Sequence, residues 1–213
     1  MNDTRRLLEA ASALSQLLHN AGAPHAFYGS VLNAVLTNAP HADEIYCIVE
    51  GGPHTHPFKR VRQACAGSTN VTVTPSPWSD RLHVRYHRLI PAIDIEILPS
   101  GEEGPRHLDS STVGIIAGLP FLTISEFLRA KLKAWAMYVL SYLCYVLVPI
   151  VYHGLAFASR RRDHDAQDII YAFSRYWNRV DINRIPEQDM RDLVKSYPAI
   201  APAWRELKMK YGM

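Results

Sequence analysis

The chain predicts an α+β protein: a mixed β-sheet with flanking helices, followed by a C-terminal helical segment. Three observations carry this. Helical and strand patterns alternate from the start, three β segments then follow one another, and beyond Pro120 the apolar periodicity is that of helices. The 213 residues suffice for a sizeable core, and 48% hydrophobic with 20% charged residues describes a globular chain. The division expected is an α/β core over 1–118 and a helical segment over 119–213.

In order along the chain, Thr4 to Asn20 reads as an amphipathic helix, with Leu7, Leu8, Ala11, Leu14, Leu17 and Leu18 at helical spacing and Gly22 as its stop. Phe27-Tyr28 is a short strand, and Ser30 can cap a helix running to Leu36. Glu44 to Val49 is a strand closed by Gly51-Gly52-Pro53, and Pro57 to Ala66 a helix with Lys59, Arg60 and Arg62 facing solvent. Three β segments follow, Asn70 to Thr74, Leu82 to Leu89 and Ala92 to Leu98. The alternation in Leu82-His83-Val84-Arg85-Tyr86-His87 marks a strand with one wet face. Thr123-Ile124-Ser125-Glu126 has the form of a capping box at the head of a helix through Leu128, Leu132 and Trp135. Later helices are expected at Asp163 to Trp177, Glu187 to Lys195 and Pro202 to Tyr211.

Ala134 to Ala158 carries no formal charge, although its left flank belongs to the capped helix. Three readings stay open: a packed helical hairpin broken at Pro149, a translated insert such as a retained intron over 138–158, or a membrane span followed by Arg160-Arg161-Arg162. Apart from that last reading, a membrane partner is not expected. A net charge of +3 is too small to argue for nucleic acid. The ten histidines show no metal-ligand spacing; His54-Thr55-His56 lacks a third ligand. Cys47, Cys65 and Cys144 form no CxxC pair, so a reducing, cytoplasmic location is the default expectation.

Two short pieces bear on chemistry. Gly29-Ser30 puts a small-residue turn between a strand and a helix, where backbone amides can approach a phosphate. Asp94 and Glu96 lie two apart on one strand, hence on one face, and Glu44 opens an earlier strand. Carboxylates on neighbouring strands can hold magnesium ions beneath a triphosphate, and a lysine on a later helix can neutralise its charge.

These residues resemble the nucleotidyltransferase (polymerase-β-like) superfamily, most closely its AbiEii-type and minimal nucleotidyltransferase branches and their fungal relatives. The resemblance covers about residues 20 to 180. It rests on Gly29-Ser30, on Glu44-Ile45-Tyr46, on Asp94, on the Ala130-Lys131-Leu132-Lys133 helix, and on Arg161-Arg162-Asp163 with the Asp165/Asp168 pair. In the family the last two parts lie close together; here about twenty residues intervene, which motivates the insert reading.

The resemblance implies magnesium-dependent transfer of a nucleotide from a nucleoside triphosphate such as ATP to an acceptor the sequence does not identify. Glu44 and Asp94 would be catalytic acids, Glu44, Asp94 and Glu96 the Mg2+ ligands, and Gly29, Ser30 and Lys131 the phosphate-binding residues. Tyr46 departs from the pattern, because a phenol stands where the family has its second carboxylate, and a neutral phenol binds magnesium poorly. The alternative is a catalytically degenerate relative acting as a nucleotide- or protein-binding module. On that side, the three acids could be surface groups paired with Arg85, Arg88 or Lys131, and Lys131 a snorkelling helix lysine. Asp165 and Asp168 could bond to the turn or to Arg161, while His83, Arg85 and His87 form a basic strand face that could meet phosphate or simply be a wet edge.

Overall fold

The computed structural model describes residues 3–75, 81–146 and 152–213, with side chains described for all of these but 138–146 and 152–162. The chain divides into two units, Met1–Thr123 and Ile124–Met213.

In the first unit, helix α1 (Asp3–Asn20) buries Leu7, Ala10, Ala11, Leu14 and Leu18, one stripe at the helical period. Gly22 at φ 62° turns the chain back into strand β1 (His25–Tyr28), followed by α2 (Ser30–Thr37) and β2 (Tyr46–Val49). Helix α3 (Pro57–Cys65) starts with Pro57 in its first turn, and the His56 ring accepts the Phe58 N–H. Strands β3 (Val71–Pro75), β4 (Leu82–Tyr86), β5 (Ile93–Pro99), β6 (Val113–Ile116) and β7 (Leu119–Leu122) complete the unit.

Among the described residues these strands form one seven-stranded sheet in the order β3-β4-β5-β2-β1-β7-β6. It is mixed, since β2 runs parallel to β5 and β1 parallel to β7, while the other neighbours are antiparallel. Every residue of β1 and β2 is buried, as expected of central strands covered on both faces. Phe27 packs beside Phe121 across the β1–β7 pair, and neither is exposed. Strand β4 alternates as its sequence suggested: Leu82, Val84 and Tyr86 are buried, with His83 and Arg85 on the wetter face.

Two differences from the sequence expectation have identifiable causes. Strand β2 begins at Tyr46 and not at Glu44, because the Asp43 and Glu44 N–H groups bond to the Ser30 hydroxyl. The β6–β7 hairpin was not anticipated. It turns through Ala117 and Gly118, both at positive φ, and Ala-Gly is a weaker signal than Asn-Gly. Pro120 also reads against a strand. An expected division at 118/119 would cut this hairpin; the units divide after Thr123.

In the second unit, α4 (Ile124–Val146) and α5 (Tyr152–Tyr176) pack along one another and are followed by α6 (Glu187–Ser196) and α7 (Ala201–Lys210). Phe127, Leu132, Ile169, Phe173, Met190, Leu193 and Leu207 are its fully buried apolar residues of note. The capping box does not form. The Thr123 N–H donates to the Thr112 carbonyl, and the Glu126 carboxylate is held by Arg184 and Arg129, each at 2.6 Å. Two helices, α4 and α5, thus occupy most of 134–158, while Pro149 and the rest of 147–151 lie outside the described residues. Among the described residues no helix is long and apolar enough to cross a membrane.

Candidate functional site

The Gly29-Ser30 turn is a clamp on the segment ahead of β2. Gly29 adopts φ 116° and ψ −172°, and a Cβ there would lie 2.8 Å from the Glu44 carbonyl oxygen, so only glycine fits. The Ser30 hydroxyl donates to the Asp43 carboxylate at 2.8 Å and accepts the N–H groups of Asp43 and Glu44 at 3.1 and 3.0 Å. One donor and two acceptor sites are a hydroxyl's whole capacity. The Val31 N–H, near the start of α2, donates to the Glu44 carbonyl at 3.2 Å. Turn and helix start are thereby bonded to the chain itself.

Beside the clamp, cross-strand register lines up Tyr28 (β1), Tyr46 (β2), Glu96 (β5) and His83 (β4). Directly paired residues share a face of the sheet. The Tyr28 and Tyr46 rings lie 5.0 Å apart, and both residues are buried. The Tyr28 hydroxyl donates to one Glu103 oxygen at 2.9 Å, and Arg81 grips the other at 2.6 Å. The second arm of Arg81 reaches Glu96 at 2.5 Å. Burial, and then the neighbouring Glu103 carboxylate, push the Tyr28 phenol well above its usual range. Burial opposes the charge on Arg81, but Glu103 and Glu96 more than offset it and hold the guanidinium firmly protonated.

Two residues before Glu96, Asp94 pairs with Arg85 of β4. The contact is bidentate, Nε to Oδ1 at 2.8 Å and Nη2 to Oδ2 at 2.9 Å. Hydrogen bonding from Arg85 lowers the Asp94 pKa, and Asp94 is about half exposed. Glu44 precedes β2, its backbone fixed from both sides by Ser30 and Val31.

The three expected ligands Glu44, Asp94 and Glu96 therefore belong to one region of the sheet, but not to one metal-sized cluster. Among the described residues of the first unit, no three His, Cys, Asp or Glu side chains bring ligand atoms within 4.8 Å of one another. A magnesium ion requires oxygens at about 2.0–2.1 Å in near-octahedral array. Here each β5 acid already carries a guanidinium, and Tyr46, paired with Glu96, is a buried phenol. Of the two, Asp94 holds its arginine at the surface, whereas Glu96 holds Arg81 in a largely buried network. The donor set does not suit a two-metal centre.

Lys131, on α4 in the second unit, is 2% exposed and does not snorkel. Its ammonium lies 2.6 Å from Asp165 and 3.0 Å from Asp168, both on α5 and both buried. That spacing of three puts the two carboxylates on one helix face. Sequence reasoning had the aspartates bonding to the turn or to Arg161, whose side chain lies outside the described residues. It missed Arg81, Glu103 and Tyr28, since the only signal for their network is spatial.

A sheet of this order, with a glycine-serine turn bracing the strand beside β5 and a helical second unit, defines a class: the fold is nucleotidyltransferase-like. The particular likeness is to solved structures. The crystal structure of an antigenic nucleotidyltransferase-like protein from Paracoccidioides brasiliensis is similar with a TM-score of 0.62 and 14% identity, covering 95% of this chain and 94% of that one. JHP933 from Helicobacter pylori is similar with a TM-score of 0.46 and 14% identity, over 93% of this chain and 77% of its own. No family model and no curated protein matches the sequence.

Proposed function

We propose that this chain is a catalytically degenerate member of the nucleotidyltransferase group, nearest the AbiEii-type and minimal branches, that binds nucleotide phosphates without magnesium. The observation carrying this is the pairing of both β5 acids with arginines, Asp94 with Arg85 and Glu96 with Arg81, beside a phenol at the family's second acid position. Two-metal transfer needs those carboxylates for the metal ions. Pairing instead occupies the carboxylates and leaves on the same face the guanidinium N–H groups not spent on them, with His83 and His87 alternating with Arg85 along it. A triphosphate is a ligand such donors can hold directly.

A second reading, magnesium-dependent nucleotidyl transfer, is favoured by one feature: Ser30 fixes the Glu44 backbone two residues ahead of Tyr46, the partner of Glu96. Thermal unfolding with ATP, GTP, CTP and UTP, each with and without magnesium, separates the two. The expected result is a rise in Tm that magnesium does not enlarge, together with no nucleotide transfer. A rise that requires magnesium supports the second reading, and no response to any nucleotide contradicts both.

A further inference from the structure

Away from β5, the first unit holds a cleft of about 670 Å³, lined on one side by Ser12, Ser15, Gln16 and His19 of α1 and by His25 at the start of β1. Its other wall is apolar, built from Val113, Ile115 and Leu119 of the β6–β7 hairpin with Leu108 and Pro120. The volume is that of a small-molecule site.

The turn through Gly22 folds β1 back onto α1 and brings His25 against Ser15. His25 Nδ1 lies 2.9 Å from the Ala23 carbonyl oxygen, and Nε2 lies 2.8 Å from the Ser15 Oγ. A carbonyl only accepts, so Nδ1 carries the ring proton, and in the neutral ring Nε2 accepts from the serine hydroxyl. Burial lowers the His25 pKa and favours that neutral ring. The result is a hydroxyl, a base and an orienting acceptor in sequence at hydrogen-bond distances, the geometry of an activated serine.

We infer that Ser15 and His25 form a nucleophile–base pair that hydrolyses small apolar carboxylic esters bound in this cleft. Ser15 Oγ adds to the ester carbonyl carbon as its proton passes to His25 Nε2. The carbon–oxygen bond to the alcohol then breaks, and His25 returns the proton to the departing oxygen. Water attacks the acyl-serine, again losing a proton to Nε2; the acid leaves and Ser15 Oγ recovers its proton. The apolar wall takes the hydrocarbon part of the ester. Gln16 and His19, one residue and one turn beyond Ser15, also line the cleft, and their side-chain N–H groups are the donors assigned to the developing oxyanion.

The test uses the full chain with p-nitrophenyl butyrate as substrate and a fluorophosphonate as covalent probe, located by peptide mass spectrometry. The expected result is labelling of Ser15 and an ester turnover that falls at least tenfold in Ser15→Ala, while Ser174→Ala, at an exposed position of α5 outside the cleft lining, keeps the wild-type rate. A purely structural Ser15–His25 bond predicts no label on Ser15 and equal turnover in both variants, and either result overturns the inference. Labelling is read on the wild-type protein, so it decides even if Ser15→Ala fails to fold.

Discussion

Ser30 spends all of its hydrogen-bonding capacity on two consecutive backbone amides and one carboxylate, and this is why the chain leading into β2 has a fixed course. Removing the hydroxyl leaves both amides and the Asp43 oxygen without that partner in a part-buried setting. Ser30→Ala should lower stability by about 1–3 kcal/mol, the cost of orphaned polar groups. Urea denaturation measures it, and a change within a few tenths of a kcal/mol would show that the clamp is incidental. Much of the residue scale could be read from the linear chain. Gly29, Ser30, Tyr46, Asp94 and Glu96 stood out by type and order. What they bond to could not be read. Arg85 is one of three partners the linear chain offers for the acids, beside Arg88 and Lys131, but Arg81 and Glu103 lie in irregular chain and meet Glu96 and Tyr28 only through folding.

Among the elements, α4 and α5 carry the clearest decision between a structural and a phosphate-binding lysine. Lys131 bridges two carboxylates, all three groups being less than a tenth exposed. Breaking such a cluster leaves buried charge without its counter-charge, at about 3–5 kcal/mol. Lys131→Ala should therefore unfold at markedly lower temperature and denaturant than wild type, with nucleotide binding altered only through that loss. A variant of normal stability that had lost nucleotide binding would instead make Lys131 a phosphate ligand. Helix periodicity placed α1, α3, α6 and α7 to within a residue or two, because each has a marked apolar stripe or a proline at its boundary. The β6–β7 hairpin escaped notice because its turn is Ala-Gly and its second strand contains Pro120. Thr123-Ile124-Ser125-Glu126 suggested a local cap, yet Arg184, remote in sequence, binds Glu126 more strongly than a neighbouring amide could.

At the level of the whole molecule, the fold is nucleotidyltransferase-like, and both β5 acids are held in ion pairs with arginines. Fold and function are separate inferences, and the second rests on the paired side chains. The most direct measurement of this claim follows Mn2+, an octahedral oxygen-seeking stand-in for magnesium, by its paramagnetic broadening of NMR signals from isotopically labelled protein. With both β5 acids held by arginines, Mn2+ should produce no saturable, site-specific broadening at Asp94 and Glu96, with or without nucleotide. Saturable broadening centred on Glu44, Asp94 and Glu96, relieved by excess Mg2+, would show a working metal centre and contradict the account.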